Sequence, residues 1–382
     1  MSLRSRLALL VVGGVLAASA QPAPVQPASS FKINFPADSP VAVVNADWGE
    51  SRTTTLGGAL VLELHSALSL RNSSQARIRG VTLLVLAQEV TPGGKASVSV
   101  PSLDIRAGET FPVRIDLRLL RPVGAAGGPL VEIGLDGVLF DNLSFYGPNR
   151  LNSRRSMTVW ELEARRDRRH FKSILEAQGP EGLRKEMLAS LARQTERTNL
   201  DVQVTRRGRA TAVAAAEREH PVQFAFLRLP EAPLEPLSGL AQVSGNEARA
   251  PRIEVLNRSD RAIRYFEIGW IIKDRQGGQF LAGAFPASDP GLKLGPGQKS
   301  QVLEEATLKF SRRMGQPLAI EALSGFVSQV EFADGDLWIP SRAALADPLL
   351  ERVLAPSPEE QRLTDLYRRR GLVALVNELR KF

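Results

Sequence analysis

Short apolar runs, interrupted by polar residues at nearly every second position, fill residues 59–150 of the chain. The runs are rich in β-branched side chains and are separated by turn residues such as Asn72 and Gly108. Alternation of this kind over short runs predicts antiparallel strands. The same texture returns over residues 251–345. Strands at this regular spacing predict one β-sandwich in each stretch.

A helical pattern separates the two β-rich stretches. Residues 153–177 contain neither Pro nor Gly and carry a narrow apolar stripe within a charged remainder, which predicts an amphipathic helix. The Gly179-Pro180 pair ends this helix, and a second helix is predicted to follow it. We therefore expect residues 151–199 to form a helical hairpin. Residues 200–250 predict further strands and then a linker that prolines stiffen.

Residues 346–382 predict a C-terminal amphipathic helix. Ser357, Pro358 and Glu360 provide an N-cap, a proline at the first helical position and an acid at the third, which is the signature of a capping box. We expect this helix to pack on the second β module. The alternative is a free amphipathic helix that binds a membrane surface.

The N-terminus has the pattern of a secretory signal peptide. Basic residues precede an apolar run that begins at Leu7, and small residues surround Ala20. Residues 1–20 are therefore predicted to direct export and to be removed. Residues 21–58 are expected to hold a flexible leader and a first strand region. No later apolar stretch predicts a membrane span, so we expect an exported protein, periplasmic or extracellular.

Two parts of the chain repeat the same markers in the same order. A strand ends in Asn-x-Ser at Asn72 and again at Asn257, and a glycine-containing turn follows at Gly108 and at Gly297. This order predicts an internal duplication. Both copies resemble the immunoglobulin-like modules of exported bacterial proteins, which share these markers and a closing strand with an aromatic residue. The resemblance implies a sandwich fold but no particular function.

These patterns together predict a mainly β protein with helical segments. It would contain two immunoglobulin-like antiparallel β-sandwiches, joined by a basic α-helical hairpin and followed by a C-terminal helix. The chain has 382 residues, which is enough for two domains that each bury a core.

The positive charge is concentrated in the helical segment. The formal net charge is +8, and between Arg150 and His220 there are 16 basic and 10 acidic residues. A localised basic face attracts anionic partners, and the guanidinium fork binds carboxylate or phosphate through two hydrogen bonds. The candidate partner-binding residues are Arg165, Arg166, Arg168 and Arg169. The alternative is that these arginines only solvate a helix.

Residues that commonly build catalytic sites are scarce. The chain contains no Cys, which excludes disulfides, thiolate metal sites and cysteine nucleophiles. Its three histidines, His65, His170 and His220, do not have metal-ligand spacing. The Asp334-Gly335-Asp336 triplet lacks the remaining ligands of a calcium loop and predicts a hairpin turn. We therefore expect no enzyme activity, no cofactor and no metal.

The remaining function is binding, and two surfaces could provide it. The first is the arginine face, formed by Arg165, Arg166, Arg168 and Arg169, with an acidic protein or an anionic envelope polymer as partner. The second is a carbohydrate or small-ligand site with exposed rings, for which the candidates are Trp48, Tyr146, Trp270 and Trp338. Nucleic acid is not expected as a partner, because the basic segment contains few rings for base stacking. A hydrolase with an unrecognised carboxylate site is the third alternative.

Overall fold

A computed structural model describes residues 30–89, 92–123, 129–195, 200–206, 219–287, 291–303, 306–312 and 318–382. The predicted signal peptide, residues 1–20, and the leader up to residue 29 lie outside the described residues. The described chain is mainly β, with several sheets and with helices, which confirms the coarse fold class expected from the sequence.

The first nine strands lie before the long helix. They are β1 Phe31–Asn34, β2 Val41–Asp47, β3 Arg52–Leu56, β4 Ala59–Asn72, β5 Ile78–Leu86, β6 Lys95–Val100, β7 Thr110–Pro122, β8 Val131–Phe140 and β9 Phe145–Tyr146. One four-stranded sheet has the order β2-β4-β3, with β7 also paired to β4. A five-stranded sheet has the order β1-β8-β5-β6, with β9 paired to β8.

Ten more strands follow the long helix and belong to one sheet. They are β10 Leu200–Arg206, β11 His220–Phe226, β12 Leu234–Ser244, β13 Glu247–Asn257, β14 Ile263–Asp274, β15 Gln279–Pro286, β16 Lys299–Val302, β17 Ala306–Arg312, β18 Ile320–Phe332 and β19 Leu337–Trp338. The order is β10-β17-β13-β12-β11-β18-β14-β15, with β16 paired to β13 and β19 to β18. The strands of residues 200–250 are thus part of this sheet.

The chain divides into two compact units. The first comprises Met1–Gln75, Thr82–Val98 and Ala107–Leu135, and the second comprises Ala76–Val81, Ser99–Arg106 and Asp136–Phe382. In the first unit, β4 and β7 pair along thirteen residues of each strand, from Ala59↔Pro122 to Arg71↔Thr110. In the second unit, one hydrophobic cluster around Trp270 takes buried residues from β12, β13 and β17 as well as from β14 and β18.

Two strand pairs among the described residues are parallel, and each includes one strand from outside the two stretches predicted to form antiparallel sandwiches. Strand β1 pairs with β8 in parallel, and β11 pairs with β18 in parallel. Many strands separate the two members of each pair along the chain. A hairpin turn would force an antiparallel arrangement, but a long connection allows a parallel one.

The two Asn-x-Ser turns have the same hydrogen bonds. The Oδ1 atom of Asn72 accepts from the backbone N and the Oγ of Ser74, at 3.0 and 2.8 Å. The Oδ1 atom of Asn257 accepts from the same two atoms of Ser259, at 2.9 and 2.7 Å. The carbonyl oxygen of each asparagine also accepts from a glycine N–H, that of Gly108 in one case and that of Gly297 in the other.

The α-helices are α1 Ser153–Thr195, α2 Pro348–Val353 and α3 Pro358–Leu379. Helix α1 is interrupted at Gly179, where φ is 71°, and α3 is interrupted at Gly371, where φ is 77°. Glycine adopts positive φ without the steric penalty that a Cβ atom causes, so both helices change direction at a residue suited to it. The predicted stop at Gly179 is confirmed.

Apolar residues of α1 and α3 form one buried cluster. Its fully buried members are Phe171, Leu183, Met187, Leu363, Leu375 and Leu379. The helices on both sides of each interruption contribute, so the glycine breaks let four helical segments share one core. In the part of the chain described here, no helix combines the length and apolarity that crossing a membrane requires.

Candidate functional site

Arg168 is buried and paired inside the protein. Its side chain is 6% exposed, and its Nη2 atom lies 3.1 Å from Oε2 of Glu161. Its Nε atom lies 3.0 Å from Oε1 of Glu359 in the first turn of α3. The guanidinium carbon lies 4.2 Å from the centre of the Phe382 ring. Arg168 therefore links α1 to α3 by an ion pair, and it also contacts the ring of Phe382 by a cation–π interaction.

The other three candidate arginines are progressively more exposed. Arg166 donates from Nη1 to the carbonyl oxygen of Pro340 at 3.1 Å and pairs with buried Asp167. Arg165 pairs with Glu161 at 2.9 Å and donates to the carbonyl oxygen of Asp141. Arg169 is exposed, and its Nε donates to the carbonyl oxygen of Arg165 at 3.2 Å.

Further charged groups surround the junction of α1 and α3. Buried Asp167 accepts from Oγ of Ser357 at 2.5 Å, and Glu360 accepts from Oγ of Ser190 at 2.6 Å. Arg342 lies 3.2 Å from Oε2 of Glu360. A buried charge is tolerated only when it is paired and hydrogen-bonded, so this network allows acidic and basic residues to lie within a helical core.

The acid at position 163 of α1 has a different environment. Burial raises the pKa of Glu163 to about 7; the neighbouring Asp167 raises it further, and Arg166 opposes both. A carboxyl whose pKa is higher in the folded protein than in the unfolded chain ionises more easily after unfolding. Stability from this group is therefore present at low pH and is lost as the pH rises from about 4.5 to about 7.

We expect Glu163→Gln to remove that pH dependence. Between pH 4.5 and 7.5, the wild type should lose on the order of 1–3 kcal/mol of unfolding free energy relative to the variant. Urea unfolding at several pH values measures this difference. Exposed Glu176 on the same helix is the control, since Glu176→Gln should leave the pH profile of the wild type unchanged. Parallel profiles for wild type and Glu163→Gln would show that Glu163 does not titrate in this range.

A cleft of about 1230 Å³ lies between the first turns of α1 and strands β14 and β18. Helix α1 contributes Val159 and Trp160. Tyr265 and Glu267 are two residues apart on β14, and Gln329 on β18 lies opposite Glu267 in the strand register. Side chains two residues apart on a strand share a face. The sheet therefore presents a tyrosine, a carboxyl and an amide to the cleft, and the helix presents an indole ring.

Charge and hydrogen bonding hold the polar side of the cleft in place. Arg155 lies with its guanidinium carbon 3.5 Å from the centre of the Tyr265 ring, and its Nε is 2.5 Å from Oε2 of Glu331. Arg264 pairs with the other oxygen of Glu331. The Tyr265 hydroxyl donates to Oε1 of Glu267 at 2.5 Å. Arg155, Tyr265 and Glu267 are therefore oriented by their neighbours before any ligand arrives.

Desolvation changes the titration of two cleft residues. Burial raises the pKa of Glu267, and the hydrogen bond from Tyr265 opposes this effect. Burial also raises the pKa of Tyr265, and the charge of Glu267 adds to that rise. The tyrosine therefore keeps its proton, and its hydroxyl remains a donor at any physiological pH. The cleft walls combine such fixed polar groups with apolar surface, as small-ligand sites do.

The rings proposed from the sequence lie elsewhere. Trp270 is fully buried in the core beside Phe224, and Trp338 packs against two apolar clusters. Trp48 stacks on Phe31 with ring centres 4.2 Å apart, and Tyr146 pairs with β8. The cleft rings Trp160 and Tyr265 were not proposed from the sequence. The alternation at Tyr265-Phe266-Glu267 could have indicated Tyr265, because it places the polar pair on the face opposite the core residue.

The described residues provide little for metal or hydrolytic chemistry. Among them, no three His, Asp or Glu side chains converge in a way that could hold a metal ion. Glu331 is 4% exposed and lies behind Arg155 and Arg264, so it is not on the cleft wall. Asp334 and Asp336 both pair with Arg261 in the turn between β18 and β19.

No known protein family matches the chain, and no curated protein matches its sequence. Among solved structures, it is similar to a selenomethionine-labelled β-glucosidase from Kluyveromyces marxianus, with 10% identity and a TM-score of 0.15, over 71% of this chain and 45% of that one. For β-glucosidase from the same organism in complex with glucose, the identity is 9%, the TM-score 0.13 and the shares 74% and 47%. The chain thus spans less than half of these structures, and likeness this weak gives no information on fold or activity.

Proposed function

We propose that this chain is an exported, non-enzymatic protein of the bacterial cell envelope that binds a carbohydrate or a similar small ligand in the cleft. The cleft carries this proposal, because it brings Trp160 and Tyr265 together with the fixed polar groups of Glu267 and Gln329. A sugar has an apolar C–H face that packs on a ring and hydroxyl groups that bond to planar polar side chains. Export rests on the signal-peptide pattern of residues 1–20.

The arginine face is the second proposed binding surface, and its contacts favour it less. An acidic partner would have to compete with Glu161 and Glu359 for Arg168, and with buried Asp167 for Arg166. Arg165 and Arg169 remain accessible in part or in full. A surface made of these two side chains would be weak, because exposed ion pairs contribute about 0–1 kcal/mol each.

We also propose that the two β-rich parts are duplicated immunoglobulin-like sandwiches, and that the helical segment with its break at Gly179 is the hairpin that joins them. The matching hydrogen bonds at Asn72 and Asn257 support a duplication. The hydrophobic cluster around Trp270 contains residues from both halves of the ten-stranded sheet, which supports a sandwich in the second β-rich part.

Intrinsic fluorescence tests the ligand proposal. Titration of the mature protein with cellotriose or with trigalacturonate should change tryptophan emission until it saturates, because a bound sugar removes water from Trp160. The change should disappear in Trp160→Phe and persist in Trp48→Phe, whose indole is also partly exposed but lies outside the cleft. If neither saccharide alters the emission, or if Trp160→Phe responds like the wild type, the proposal is wrong.

A further inference from the structure

The cleft carries more basic than acidic groups. Arg155, Arg264 and Lys293 lie on its wall, whereas Glu267 is its acidic wall residue and Glu331 lies beneath. Glu331 is shared by the two arginines, so one unit of positive charge is left over there. Clefts with one sign of charge concentrate the field and attract ligands of the opposite sign.

The surplus positive charge is placed at one end of the cleft. Leu294 exchanges two backbone hydrogen bonds of 2.9 Å with Ile263. Lys293 precedes Leu294 in the sequence, and Arg264 follows Ile263. The bridge therefore brings the backbones of Lys293 and Arg264 close together. Lys293 is exposed and forms no ion pair within the described residues, and the Arg264 side chain is 41% exposed. Lys293 can therefore approach a ligand directly, whereas Arg264 would do so while it stays paired with buried Glu331.

The rest of the cleft suits a ring with hydroxyl groups. Val159, Trp160 and Leu292 offer an apolar wall, and Glu267 and Gln329 offer planar hydrogen-bonding groups opposite it. An anion without an apolar face would contact Lys293 and Arg264, but it would offer no surface for Trp160 and the apolar wall to pack against. A neutral sugar would contact the apolar and hydrogen-bonding walls but would form no ion pair with either cation.

We propose, on the basis of the ligand-binding function above, that the ligand is an acidic saccharide whose sugar ring packs beside Trp160 and whose carboxylate faces Arg264 and Lys293. Hydrogen bonds between ionised groups are roughly twice as strong as neutral ones, so the carboxylate adds affinity that a neutral ring cannot match. Part of this gain is electrostatic at an exposed position and is screened by salt.

Titration calorimetry with three probes tests the proposal: trigalacturonate, cellotriose and triglutamate. At low ionic strength, trigalacturonate should bind at least about tenfold more tightly than either of the other two, and this preference should shrink as salt is added. Lys293→Gln should reduce the preference for trigalacturonate over cellotriose by about threefold or more. The control is Lys299→Gln, an exposed lysine of the same sheet that lies away from the cleft.

The outcomes separate the two proposals. Equal affinity for trigalacturonate and cellotriose would contradict the acidic ligand and leave carbohydrate binding intact. Triglutamate binding as tightly as trigalacturonate would show that the cleft selects charge alone and would contradict a saccharide ligand. A full preference retained in Lys293→Gln would also overturn the acidic site, and no binding of either saccharide would overturn both proposals.

Discussion

Replacing Arg168 by glutamine is expected to lower the free energy of unfolding by about 2–4 kcal/mol, because two buried carboxylates each lose one cationic partner and keep Arg165 or Arg362. The affected acids are Glu161 and Glu359, which are 2% and 1% exposed. The variant also loses the contact with the Phe382 ring. Urea unfolding followed by circular dichroism at the helix wavelength measures the loss.

The next residue on the same helix provides the control for this effect. Arg169 is exposed, and within the described residues it bonds to a backbone carbonyl of its own helix, so Arg169→Gln should change stability by less than about 0.5 kcal/mol. Arg168→Lys should lie between the two, since lysine restores the charge but not the fork that reaches both acids. Equal stability of Arg168→Gln and Arg169→Gln would contradict the structural role of Arg168.

Asn257→Ala is expected to cost about 2–4 kcal/mol of unfolding free energy, since it removes four hydrogen bonds of a fully buried side chain. The Asn257 side chain is fully buried, and its Nδ2 atom donates to the carbonyl oxygens of Arg261 and Leu294 at 2.7 and 2.9 Å. Its Oδ1 atom accepts two hydrogen bonds from Ser259. Urea unfolding monitored by tryptophan fluorescence suits this variant, because Trp270 lies in the core of the same sheet.

An exposed turn with the same motif tests whether burial causes this loss. Asn142 accepts from the backbone N and the Oγ of Ser144, at 2.9 and 2.6 Å, just as Asn257 accepts from Ser259. Water can replace these bonds at an exposed site, so Asn142→Ala should cost less than about 1 kcal/mol. A similar cost for the two substitutions would mean that turn formation, and not burial, sets the contribution of Asn257.

Local structure could be predicted from the sequence where a short pattern determines it. The first turn of α3 is an example: Ser357 caps the helix, with its Oγ accepting from the Glu360 N–H at 3.0 Å. The reciprocal half of the capping box is absent, because the Glu360 carboxylate bonds to Ser190 and Arg342 instead. A pattern of four residues predicts the N-cap, but it does not contain the distant residues that bond to the Glu360 side chain instead.

The role of the arginines could not be predicted for the same reason. Arg168 and Glu359 are far apart in the sequence, and nothing near either residue indicates their contact. An arginine-rich helix therefore resembles a basic surface until its acidic partners are known. The cleft was missed on similar grounds, because its wall combines a helix, two strands and a loop that meet only in the folded chain.

The most direct test of the central claim compares the two proposed binding surfaces in one calorimetric titration with trigalacturonate. Trp160→Ala removes the indole from the apolar wall of the cleft, and the double variant Arg165→Gln/Arg169→Gln removes the two accessible arginines and keeps buried Arg168. We expect Trp160→Ala to lose at least about tenfold in affinity, equivalent to 1.4 kcal/mol, and the double variant to bind like the wild type. Loss of binding in the double variant, with Trp160→Ala unaffected, would contradict the cleft and place the ligand on the arginine face.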